Sequence, residues 1–76
     1  MKTIKWHRTR MQVDGVPLLV YTTDDKDWRA WSIDRIPTSN GSRTDWYEYQ
    51  PKYHGEARGK RYTRLQDAQA FIERQS

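Results

Sequence analysis

The first half of the chain consists of β-prone runs separated by short polar breaks. Residues 3–13 mix apolar and aromatic side chains with basic ones, and residues 16–23 form the most hydrophobic run of the chain. Asp14-Gly15 separates these runs, and such a pair is the strongest short-range hairpin signal because both central positions of a type I′ turn need positive φ. We predict two antiparallel strands, the second either buried on both faces or central in its sheet.

Two further strands are predicted in the middle of the chain. Residues 28–36 alternate so that successive side chains fall on opposite faces, which is the period of a strand. Turn-forming residues fill 37–42, and the aromatic run 46–50 is predicted to be a short fourth strand that Pro51 ends. Residues 51–61 show no periodicity and are predicted to form an exposed basic loop.

The C-terminal residues predict one amphipathic helix over about 64–75. Thr63-Arg64-Leu65-Gln66 has the form of a capping box, in which Thr63 and Gln66 satisfy backbone amides reciprocally. Just before it, Arg61-Tyr62 is predicted to add a last β bridge. The apolar stripe of the helix needs a sheet to cover it. This stripe is formed by Leu65, Ala68, Phe71 and Ile72.

The order of elements predicts an α+β fold with two layers: an antiparallel sheet of three to four strands, β-β-β(-β)-α, packed by one C-terminal helix. The 76 residues leave room for a single domain, 1–76, with one hydrophobic core. Aromatic residues make up 13% of the chain and supply the bulk for that core. We expect Trp6, Tyr21, Trp31 and Phe71 to be core residues.

The composition and the apolar runs indicate the cellular compartment in which the protein is expected. No cysteine is present, which suits a reducing compartment, and we expect a cytoplasmic protein. The longest apolar run, 16–21, is far too short to cross a bilayer, so no membrane association is predicted. A homodimer is left open, because so small a core could gain by pairing an exposed strand edge with a second copy.

Charge is distributed unevenly along the chain. Residues 1–13 hold four basic and no acidic side chains, residues 14–50 hold four basic and seven acidic ones, and residues 51–76 hold six basic and three acidic ones. If the two basic ends lie together, they form one positive face that contacts phosphates while tyrosines stack on bases. The nucleic-acid-binding residues predicted on this basis are Lys5, Arg8, Arg10, Lys52, Tyr53, Arg58, Lys60, Arg61 and Arg64.

Catalytic chemistry has little support in the sequence. His7 and His54 stand far apart, and neither a Ser-His arrangement nor a glycine-rich phosphate loop is present. The acidic run 24–27 lacks the glycine and the terminal glutamate of a calcium loop and is predicted to be a polar turn. We therefore expect no enzyme, no catalytic residue, no metal site and no cofactor.

The C-terminal half carries a resemblance to known DNA-binding domains. Trp31 in a strand is followed by Trp46-Tyr47-Glu48-Tyr49, a basic loop and the helical run 61–72. This order resembles the three-stranded-sheet-plus-helix arm-binding domains of tyrosine recombinases and the related AP2-type domains. The resemblance implies that the sheet lies in the major groove of DNA, with Arg29, Arg35 and Arg43 on or beside it.

The chain is also similar to the short, Trp-rich and Arg-rich accessory proteins of bacteriophages. That similarity implies a viral protein that binds and modulates or inhibits a host protein. Acidic residues on the strands that would face DNA, Asp34, Asp45 and Glu48, repel phosphate and favour this alternative. Trp, Tyr and Arg dominate the binding energy of protein interfaces. The interface residues predicted for this alternative are Trp28, Trp46, Tyr47 and Tyr53.

Overall fold

An open antiparallel sheet of five strands carries one C-terminal helix in the computed structural model, which describes residues 4–37 and 47–75. The elements are β1 His7–Val13, β2 Val16–Thr22, β3 Trp31–Pro37, β4 Tyr47–Tyr53, β5 Glu56–Ala57 and α1 Leu65–Glu73. The strands lie side by side in chain order, from β1 at one edge to β5 at the other. The predicted α+β class is confirmed, but the sheet has five strands and not three to four.

The N-terminal hairpin forms where the sequence predicts it. Asp14 and Gly15 have φ angles of 53° and 80°, and β1 and β2 pair antiparallel along their whole length, with Val13 opposite Val16. β2 is flanked by β1 and β3, but only Val20 on it is buried. Burial on both faces is therefore wrong, whereas the other predicted alternative is confirmed in that β2 lies inside the sheet with a strand on each side.

The third strand begins later than its alternation predicts. Asp25 Oδ1 accepts a hydrogen bond from the Asp27 amide at 3.1 Å, and the Trp28 amide donates to the Asp25 carbonyl at 2.9 Å. These local bonds hold residues 26–30 in turns, so β3 starts at Trp31. An aspartate that bonds to nearby backbone amides offers the chain an alternative to the sheet.

The fourth strand does not end at Pro51. Pro51 lies within β4 opposite Ile33, and its carbonyl accepts the Arg58 amide at 2.9 Å from the other side. In a strand, the N–H and C=O groups of one residue point to the same side. The N–H that Pro51 lacks would therefore point toward the β5 side of β4, where β5 pairs only with Lys52 and Tyr53. The missing hydrogen bond therefore disrupts no strand pair.

The predicted loop 51–61 is wrong over its first seven residues. After β4, His54 and Gly55 take φ angles of 52° and 80° and turn the chain into β5, where Tyr53 pairs with Glu56. The chain continues along this edge, and the predicted last bridge is confirmed by the pairing of Tyr62 with Tyr49.

The helix packs on β3 and β4 through its predicted apolar stripe. Ala68 and Ile72 are fully buried and form the core cluster with Ile4 and Ile33, while the four predicted core rings are partly buried around it. The capping box is wrong, because Arg64 is the N-cap residue and no side chain caps the helix. Within the described ranges, no helix is long and apolar enough to cross a membrane.

Candidate functional site

The first basic strand and the basic residues after β5 lie at opposite edges of the sheet. Arg8 stands opposite Tyr21 on β2, Tyr21 opposite Ile33 on β3, and Ile33 opposite Pro51 on β4. The Pro51 carbonyl in turn accepts the Arg58 amide. Arg8 and Arg58 are therefore the two ends of one row across the sheet, four strand spacings or about 19 Å apart. The condition on which the predicted positive face depends is not met.

Two of the predicted basic residues take part in ion pairs on the sheet face opposite the helix. Lys52 Nζ lies 2.7 Å from Asp34 Oδ2, and the Asp34 side chain is only 5% exposed. Arg61 Nη1 lies 3.6 Å from Glu48 Oε1, and both side chains are partly exposed. A lysine held by a buried carboxylate is poorly placed to reach a phosphate, so Lys52 has a structural role that the sequence did not reveal.

The described residues enclose a groove of about 920 Å³ between α1 and the end of the sheet where β3 begins and β4 ends. We call it the aromatic groove. It is lined by Trp28, Trp31, Tyr53 and Phe71, together with Asp27, Arg58, Gly59 and Gln75. Three of these residues, Trp28, Tyr53 and Arg58, were predicted as binding residues from the sequence, although under two different hypotheses.

Cross-strand pairing and one glycine shape the walls of the aromatic groove. Trp31 and Tyr53 are partners across β3 and β4, and their ring centroids lie 4.8 Å apart. Phe71 of α1 meets Trp31 edge-on at 6.2 Å. A Cβ on Gly59 would lie 2.8 Å from the Phe71 ring. Only glycine therefore lets the chain pass this close to the ring. No local sequence signal identifies Gly59 or Phe71 as groove residues, because their approach is a tertiary contact.

Residues 58–64, which we call the basic segment, begin at the aromatic groove, where Arg58 and Gly59 line it. The Arg58 guanidinium lies 5.7 Å from the Tyr53 ring centroid, and the Lys60 ammonium lies 5.3 Å from that of Tyr62. Such cations are attracted by the faces of aromatic rings. The basic residues of the segment, all of them exposed, are Arg58, Lys60, Arg61 and Arg64.

The residues predicted for a protein interface do not lie together on one surface either. Trp28 and Tyr53 share the aromatic groove, but Tyr47 begins β4 while Tyr53 ends it, about 20 Å away by the rise of a strand. Tyr47 lies beneath the Arg35 guanidinium, whose carbon is 4.1 Å from its ring centroid. Trp46 lies outside the described residues.

The remaining predicted contacts are Lys5 and Arg10. Lys5 is exposed next to Ile4, which belongs to the core cluster. Arg10 is exposed on the edge strand β1, opposite Leu19. Neither residue lines the aromatic groove.

Comparison of the chain with models of known families, with curated proteins and with solved structures found no match. The resemblances to recombinase arm-binding domains, AP2-type domains and phage accessory proteins therefore stay predictions. Among residues 4–37 and 47–75, no three His, Asp or Glu side chains are grouped so that they could hold a metal ion.

Proposed function

We propose that this protein is a nucleic-acid-binding module that uses the basic segment and the aromatic groove. The observation that carries the proposal is a run of four exposed basic residues within seven positions of chain, the first of which, Arg58, lines a groove of aromatic rings. Nucleic-acid sites of this kind combine cations that track the phosphates with rings on which bases stack.

The electrostatics of the segment support phosphate contacts. From residue 56 to residue 64 the chain carries four positive charges and one negative charge, that of Glu56. Glu56 lies 3.9 Å from Arg58, and both side chains are more than half exposed. An exposed pair at this distance is worth little and can exchange for a phosphate contact. Arg58 and Lys60 are therefore the residues best placed to meet the backbone of a nucleic acid.

Fluorescence anisotropy with labelled single-stranded and duplex oligonucleotides tests the proposal. Binding at about 50 mM salt that weakens steeply by 200 mM is the expected result, because phosphate contacts release counterions. Absence of binding to DNA and RNA at the lower salt concentration would overturn the proposal.

A second candidate is the binding of a host protein, and it is favoured by one observation. Trp28 and Tyr53 stand in the same groove as Arg58, and these three residue types are the ones that anchor protein interfaces. Binding of this kind predicts a modest dependence on salt and a loss of the partner when an anchor ring is removed. Immobilised protein with and without Trp28→Leu, exposed to host lysate at both salt concentrations, distinguishes it from the first candidate.

A further inference from the structure

The aromatic groove contains a ring that is placed to stack on a planar ligand. Trp28 is half-buried and packs against the core cluster, so its position is fixed. Among the described residues it makes no contact with another ring, whereas Trp31, Tyr53 and Phe71 all do. Trp28 is thus a supported aromatic surface at the side of a groove whose other rings pack on one another.

The positive charge beside the aromatic groove suits the phosphates of a nucleotide. Arg58 lines the groove, and Lys60 follows two residues later beside the Tyr62 ring. A base stacked inside the groove has its flanking phosphates beside these two cations.

We infer that the aromatic groove accepts one unpaired base of a single-stranded nucleic acid, stacked on Trp28, while Arg58 and Lys60 bind the flanking phosphates. This inference rests on the proposed function and specifies its substrate. The bases of a duplex are stacked within the helix and can enter a groove only after being flipped out, which costs the stacking and pairing energy of that base. The protein therefore prefers single strands over the duplex of the same sequence.

The test uses the wild-type protein and three probes: a mixed-sequence single strand of about 12 nucleotides, its duplex, and an abasic strand of equal length. At about 50 mM salt we expect the single strand to bind on the order of tenfold more tightly than either other probe. Equal binding of the single strand and the abasic strand would overturn the inference while leaving the proposed function intact. Binding of none of the three would overturn the proposed function itself.

Variants locate the stacking surface. Trp28→Leu is expected to lower single-strand affinity on the order of tenfold and to leave duplex affinity unchanged, and Trp28→Phe is expected to restore most of the loss. Tyr47→Leu is the control, because it removes a ring from the distant end of β4. A melting curve for each variant shows whether it is folded. Unchanged single-strand affinity in a folded Trp28→Leu protein would contradict the inference, and because the abasic strand is tested on wild-type protein, the inference stays testable if that variant does not fold.

Discussion

Two hairpins form the two edges of the sheet, and exposed basic residues lie at both edges, on β1 at one and just after β5 at the other. Their turns have almost the same backbone, with φ angles of 53° and 80° at Asp14-Gly15 and of 52° and 80° at His54-Gly55. The strands differ: β1 pairs with β2 at seven positions, whereas β5 pairs with β4 at two. The cations at the first edge lie on β1, which the helix does not contact. At the other edge, β5 is followed by the basic segment, in which Arg58 and Lys60 lie over the Tyr53 and Tyr62 rings. Exposed positive charge is therefore common to both edges, and the aromatic rings beside it distinguish the candidate site.

Replacing a lysine in each region should give the largest difference in the free energy of unfolding. Lys52→Met should lower the free energy of unfolding by about 3 kcal/mol, because it leaves the buried Asp34 carboxylate without its partner. Lys5→Met is the matched control at an exposed position and should change stability by less than about 0.5 kcal/mol. Urea denaturation of both variants measures the two values.

A double variant sharpens the result for Lys52. In Asp34→Leu/Lys52→Met no charge is left unpaired at this position, so much of the lost stability should return. Equal losses for Lys52→Met and Lys5→Met would show that the buried ion pair contributes no more than an exposed lysine does.

A second comparison separates crowding from backbone strain at the β5 edge. Gly59→Ala should cost about 2 kcal/mol, because Gly59 has a φ of 69° and its new Cβ would lie 2.8 Å from Phe71. Gly55→Ala is the control, since Gly55 has a φ of 80° but no atom within 4 Å of the added Cβ. Thermal or urea unfolding measures both, and a smaller cost at Gly59 than at Gly55 would contradict the packing of Phe71 described above.

Removal of two positive charges from each region tests the proposed function. Arg58→Gln/Lys60→Gln should weaken single-strand binding on the order of tenfold and reduce the slope of log affinity against log salt by about 1.4, which corresponds to two lost phosphate contacts. Arg8→Gln/Arg10→Gln lowers the net charge equally at the opposite edge and should have a much smaller effect. Anisotropy titrations at several salt concentrations make the comparison, and equal losses would mean that net charge alone governs binding.

The smallest expected effect concerns the two turns. Gly15→Ala should cost about 1 kcal/mol, because alanine tolerates the left-handed region poorly and this turn joins strands paired along their whole length. Gly55→Ala should cost less, since β5 has two paired positions and can open locally without unfolding the sheet. Urea titration gives the two free energies, and a larger cost at Gly55 would show that the β5 hairpin is an integral part of the cooperative unit.

The fold could be predicted best where short-range signals decide it. The Asp14-Gly15 turn and the apolar stripe of α1 follow from backbone preference and helical period, and both are present as expected. His54-Gly55 makes the same turn, but the run after it is too short for the sequence to indicate a strand. The sequence does not indicate that Pro51 lies within a strand, because the side to which its missing amide points depends on the neighbouring strands.

The candidate site was predicted only in fragments. Tyr53 and Arg58 were expected to contact nucleic acid, and Trp28 was expected at a protein interface, but nothing local indicates that they share one groove. Lys52 was expected to face phosphate and instead holds Asp34. Residue type indicates what a side chain can bind, whereas its partner depends on which strands become neighbours.

Local sequence signals predict the α+β class, the first hairpin and the amphipathic helix, because each depends on residues within a few positions of one another. The remaining features depend on long-range contacts. Strand order places Arg8 and Arg58 at opposite edges, about 19 Å apart, and the packing of α1 on β3 and β4 brings residues 27–28, 31, 53, 58–59, 71 and 75 around one groove. These arrangements depend on contacts between residues that are far apart in the chain, and no local pattern records them.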